Sequence, residues 1–141
     1  MLVAELDEEL NAAYTPEQRH GFDINRLFRP NILFIVAKLD AEPAGCGGIA
    51  FEDGLAELKR MYVRPQARRK GIGQAILSRL EHEARTRGVA RLTLETGDAQ
   101  RDAIRFYQSA GFARCDAFGA YANMSTGQIV RSVFFEKRIH P

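Results

Sequence analysis

Arg68-Arg69-Lys70-Gly71-Ile72-Gly73-Gln74 decides the reading of this chain. It lies between an expected strand, Leu55 to Arg64, and an expected helix, Ile72 to Arg87. A basic, glycine-containing turn that opens a helix is a place to hold phosphate. The first N–H groups of a helix lack intrahelical partners, and the helix dipole favours negative charge there. Gly71 and Gly73 let the backbone approach a ligand with no Cβ in the way. Arg64, Arg68, Arg69 and Lys70 supply further positive charge.

The spacing fits two better-known phosphate loops only weakly. A P-loop needs Gly-Lys-Ser/Thr at its end, but Gln74 and Ala75 follow Gly73. A dinucleotide fingerprint needs a third glycine or alanine where Ile76 stands. On these seven residues alone, a solvated surface turn competes evenly with an anion seat.

Working outward, Leu2 to Ala13 and Asp23 to Phe28 read as helices, separated by the Thr15-Pro16 break. Ile32 to Leu39 is a buried-strand run. Glu42-Pro43 reads as the turn into a second strand, Ala44 to Phe51, and Asp53-Gly54 as the hairpin into the third. In the helix after the basic turn, Ile72, Ile76, Leu77, Leu80 and Ala84 form an apolar stripe; Glu81 and His82 fall on the polar side. Val89 to Thr96 follows as a strand. Asp98 is the expected cap of a helix over Ala99 to Ala110. Phe112 to Cys115 and Ile129 to Ile139 read as the last strands, joined by a loop over Asp116 to Gln128.

With 141 residues, 45% hydrophobic and 27% charged, the chain fits one domain, 1–141, with a proper core. A net charge of +2 gives no ground for bulk nucleic-acid binding. No apolar run suits a membrane span and the acidic start lacks a signal-peptide pattern, so the cytoplasm is the expected location. Cys46 and Cys115 read as reduced, buried thiols. The three isolated histidines show no metal-ligand spacing, and no metal is expected.

Two blocks now carry a family resemblance. Leu58 to Gly73 reads L-x-x-x-x-V-x-P-x-x-R-x-x-G-x-G, and Ala103 to Phe112 reads A-I-R-F-Y-Q-S-A-G-F. Together they resemble the GCN5-related N-acetyltransferase (GNAT) superfamily. That resemblance implies an α/β (α+β) fold: a mixed, mostly antiparallel sheet of about six strands, splayed at a coenzyme A site and flanked by about four helices. The family's usual first strand is expected to be missing, since Met1 falls almost inside the first helix. Ile32 to Leu39 is then an edge strand, which a second copy or the N-terminal helix would cover.

The resemblance also implies acetyl-CoA as acyl donor. The main chain of Met61 and Val63 would meet the pantetheine arm. The N–H groups of Arg69, Gly71, Gly73 and Gln74 would seat the pyrophosphate, with the Arg68 guanidinium adding a bond. Arg64 or Lys70 would meet the 3′-phosphate, or else be solvated. Gln100 and Ala103 belong to the second CoA-contacting block, with Gln100 standing where relatives have Asn. Tyr107 occupies the position of a general acid that protonates the leaving thiolate, or it is a packed helix aromatic. Glu57 is the candidate base, its proton affinity raised by burial, or it pairs with Lys59 or Arg60; Glu95 is a second carboxylate. Val63 N–H is the candidate oxyanion donor. Arg69 stands where relatives carry glycine, which requires a negative φ there. The acceptor pocket would draw on Tyr14, Phe22 and Arg26 and on the loop around Phe118 and Tyr121. Expected acceptors are small amines or amino acids; a protein lysine or N-terminus, and a non-catalytic acyl-CoA sensor, are the alternatives.

Overall fold

The structure is a computed structural model that describes Leu2, Ala4, Glu5, residues 31–52 and residues 54–139. The expected helices over Leu2 to Ala13 and Asp23 to Phe28 fall outside the described residues, except that Leu2, Ala4 and Glu5 are helical. So do Tyr14, Phe22 and Arg26.

Among the described residues, six strands form one sheet: β1 (Ile32–Leu39), β2 (Glu42–Glu52), β3 (Leu55–Val63), β4 (Arg91–Gly97), β5 (Ala113–Arg114) and β6 (Ser132–Arg138). The spatial order is β1-β2-β3-β4-β6-β5. Only β3 and β4 run parallel; the other neighbours are antiparallel. The described helices are α1 (Ile72–Thr86), α2 (Arg101–Ser109) and a single turn, α3 (Thr126–Ile129). The mixed α+β architecture and β1 at the sheet edge are as expected.

One face of the sheet carries the main core. Ile49, Leu58, Leu92, Leu94 and Phe135 pack there against Ile76, Leu77, Leu80 and Ala84 of α1. The stripe predicted for that helix is thus its buried face, with His82 exposed. Glu81, expected on the polar side, is buried instead, where Lys137 donates to it at 2.7 Å. On the second face, Leu2 packs with Cys46 and Tyr62, and Phe118, Tyr121 and Phe134 form a separate aromatic cluster.

Several boundaries differ from expectation for identifiable reasons. The first hairpin turns at Asp40 and Ala41, both at positive φ (53° and 69°), and not at Glu42-Pro43. Two positive φ values give the primed turn whose twist matches the strands. Pro43 is tolerated inside β2 because the register shifts opposite it, between Ala37 and Lys38. Asp98 caps no helix; its carboxylate accepts from Arg131 Nε at 2.9 Å, and Gln100 takes the N-cap position of α2. Ile129 belongs to α3, which Ser125 and Gln128 close with a capping box, so the last strand starts at Ser132. Cys46 is buried as expected, and burial pushes its thiol up to about 11. Cys115 is only half-buried, and both cysteines are free.

The irregularity that matters most lies within β3. Cys46 pairs with Tyr62 and Gly48 with Lys59, so Arg60 and Met61 together face Gly47. This bulge puts Arg60 at φ 58° and shifts the alternation by one residue. Before it, Ala56 and Leu58 face α1; after it, Met61 and Val63 do.

Candidate active site

The bulge sits where β3 parts from β4. The two strands pair only over Ala56–Leu58 and Leu92–Leu94. Beyond that, Lys59 to Val63 and Glu95 to Gly97 form the walls of a cleft of about 1000 Å³, which also reaches the first residues of α1 and α2. Arg64 N donates to Ala44 O at 2.8 Å. Pairing alternates along an antiparallel strand, so Val63 turns its N–H and C=O away from β2, toward the cleft.

At one end of the cleft stands the N-terminus of α1. Gly71 is its N-cap at φ 79°, a conformation glycine adopts without penalty. The first intrahelical bond is Ala75 N to Gly71 O (3.0 Å), which leaves the N–H groups of Ile72, Gly73 and Gln74 outside the helical ladder. Ile72 was not among the expected seat residues. The signal for it was available, since every residue of the first turn contributes an N–H.

Arg69 contradicts the expectation of a negative φ: it sits at +64°. The tight approach to the helix needs the left-handed region there, and a non-glycine side chain does not release the backbone from it. The strain is on the order of 1–2 kcal/mol. Arg69→Gly should therefore be more stable than Arg69→Ala by about 1 kcal/mol, read as a higher urea midpoint at unchanged m. Equal midpoints would show that the turn relaxes around the alanine.

The cationic side chains divide. Arg69 lines the cleft. Arg68 lines it too, but its Nε donates to Val63 O at 2.9 Å and its guanidinium lies over the Tyr62 ring. Arg64 turns to the other side of the strand, where Glu5 (3.1 Å) and Pro43 O (2.8 Å) hold it. Lys70 accompanies Arg64 at a smaller hollow of about 310 Å³ outside the main cleft.

Met61, Val63, Gly71, Gly73, Gln74, Gln100, Ala103, Tyr107 and Glu57 all line the main cleft. Tyr107 is 7% exposed, packed edge-on to Phe106 and Phe112 at 5.4 and 5.6 Å. Its hydroxyl has no hydrogen-bond partner among the described residues. Burial pushes the phenol well above its usual pKa, so it stays a donor. Glu57 Oε2 accepts from the Tyr121 hydroxyl at 2.7 Å and lies 3.1 Å from Lys59 Nζ. The pairing with Lys59 is one the strand's two-residue period allowed. Tyr121 as a partner of Glu57 had no signal in the sequence. Glu95, also lining the cleft, accepts from Ser132 Oγ at 2.7 Å. The arrangement offers a carboxylate, a protonated phenol, free main-chain donors and a helix N-terminus along one cleft. That suits transfer of an acyl group from a donor carrying phosphate.

Residues 3–112 match the sequence profile of the Acetyltransferase (GNAT) family. The chain is 42% identical over 138 residues to the "IAA acetyltransferase" of Azospirillum brasilense, covering 96% of this chain and 87% of that one. A Klebsiella pneumoniae structure, proposed as an acyl-CoA N-acyltransferase, superposes with a TM-score of 0.80 at 32% identity, covering 97% of this chain and 86% of that one. The PaiA N-acetyltransferase of Thermoplasma acidophilum, solved with coenzyme A, gives a TM-score of 0.66 at 25% identity, with coverages of 77% and 62%.

Proposed function

The chain belongs to the Acetyltransferase (GNAT) family, and from that premise we propose that it moves an acetyl group from acetyl-CoA to a primary amine of a small molecule or amino acid, in one ternary complex. The observation that carries this reading is the parting of β3 and β4 after Leu58 and Leu94, which turns the Val63 main chain into a cleft ending at the α1 N-terminus.

Acetyl-CoA is the acyl-donor substrate. The N–H groups of Ile72, Gly73 and Gln74 take the pyrophosphate, with the dipole of the 15-residue α1 behind them. Arg68 gives up Val63 O to the pantetheine arm and turns its guanidinium to phosphate. Gln100 and Ala103, at the start of α2, line the same path.

Glu57 takes the proton that the attacking ammonium must lose. The neutral amine forms a C–N bond to the thioester carbonyl carbon, and Val63 N–H stabilises the oxyanion. Collapse breaks the C–S bond, and the nitrogen sheds its second proton to solvent, as Glu57 later releases the first. Tyr107 delivers a proton to the departing sulfur, and the phenolate is restored by a proton from solvent. The products are an N-acetyl amide and CoA-SH.

Acetyl-CoA at 100 times its Kd should stabilise the protein by ~2.7 kcal/mol, read as a rise in thermal midpoint. Thiol release from acetyl-CoA across a panel of small amines and amino acids then tests transfer. No stabilisation by CoA or acetyl-CoA would sink the reading.

A further inference from the structure

On the face of β3 turned away from α1, three side chains meet. Lys59 Nζ donates to the Tyr121 hydroxyl at 2.9 Å, and that hydroxyl donates to Glu57 Oε2 at 2.7 Å. Lys59 Nζ also lies 3.1 Å from Oε2. Among the described residues, Glu57 Oε1 has no hydrogen-bond partner.

Tyr121 is 5% exposed and held by its neighbours. Its ring lies 5.4 Å from that of Phe118 and 5.3 Å from that of Phe134. It belongs to a 3-10 turn, Gly119–Asn123, in the connection between β5 and β6. A strand glutamate has a freely turning carboxylate; two donors converging on one oxygen remove that freedom. The phenol cannot leave Oε2 without opening the aromatic cluster.

We propose that Tyr121 is a positioning residue for Glu57: with Lys59 it occupies Oε2 and leaves Oε1 as the oxygen that takes the acceptor's proton. The inference rests on reading Glu57 as the base. Among the described residues, Lys59 from its own strand and Tyr121 from the β5–β6 connection meet Glu57, while Glu95 of β4, which accepts from Ser132, bears on Tyr121. Burial, Glu57 and Glu95 together keep the Tyr121 phenol protonated, which its donor role requires.

Tyr121→Phe keeps the ring and removes only the hydroxyl. Two quantities are read. One is the ¹³C carboxyl signal of Glu57 against pH, assigned by its disappearance in Glu57→Gln. The other is the acid limb of kcat/KM for thiol release with the fastest amine of the panel. Losing a donor to the ionised carboxylate favours its protonated form. Both midpoints should therefore rise by about one pH unit, a tenfold change in proton affinity. Lys59→Met should move both in the same direction. KM for acetyl-CoA should stay put, which a merely structural defect would not guarantee. In an active enzyme, an unmoved Glu57 midpoint overturns the inference alone, as does a moved midpoint with a stationary acid limb. Wild-type protein that releases no thiol with any amine overturns the acetyl-transfer reading, and this inference with it.

Discussion

Glu57→Gln should slow acetylation of a primary amine by about 10²–10⁴-fold near neutral pH, the range for loss of a positioned general base. The substitution conserves shape, and Lys59 and Tyr121 can still donate to the amide oxygen, so folding should change little. Glu57 sits before the β3 bulge, on the face opposite α1, whereas the proposed pyrophosphate seat is at the start of α1. Stabilisation by acetyl-CoA should therefore survive. The defect should shrink as pH rises, because an amine already neutral in solution needs no base. The acid limb belonging to residue 57 should vanish. Tyr107 should not replace it with a basic limb at ordinary pH, since burial raises its pKa. Thiol release measured across pH checks all of this. A variant within about threefold of wild type would mean that a water chain, not Glu57, carries the proton.

What the sequence disclosed was local. The α1 stripe, the strand before it and the glycine turn between them are written in consecutive residues, and the two motif blocks sit on them. The departures came where distant groups decided. Asp98 reads as a helix cap because its neighbours are helical, but Arg131 claims its carboxylate from the head of β6. Glu42-Pro43 reads as a turn because proline starts turns, yet the hairpin closes two residues earlier, at Asp40 and Ala41, where strand twist sets the geometry. Arg69 has a residue type that argues against positive φ, and the approach to α1 imposes it regardless. The same holds for the Glu57 carboxylate. Its ion pair with Lys59 is a two-residue matter and legible; its bond to Tyr121, 64 residues away, exists only once the 3-10 turn has packed against Phe134.

Gly45→Val should destabilise the protein by about 3 kcal/mol, the upper part of the range for overpacking. A Cβ at Gly45 would stand 2.9 Å from Tyr62 O, 3.1 Å from Ile76 Cδ1 and 3.3 Å from Ile72 Cγ2. The first of these is backbone and cannot yield by a rotamer change. Tyr62 adjoins Val63, so relief of the clash displaces the main chain that lines the cleft, and it pushes on Ile72 at the head of α1. The effect should thus appear twice: as a lower urea midpoint at unchanged m, and as a smaller stabilisation by acetyl-CoA in whatever protein remains folded. Gly47→Ala supplies the contrast. Its added methyl would collide with Met61 Sδ, the far end of a flexible side chain that can turn aside. It should cost less than about 1.5 kcal/mol and leave the response to acetyl-CoA nearly intact. If the two variants lose stability equally and respond alike to acetyl-CoA, then the close approach of β2 to Tyr62 is not what holds the cleft in shape, and the seat at α1 must be positioned by the helix packing alone.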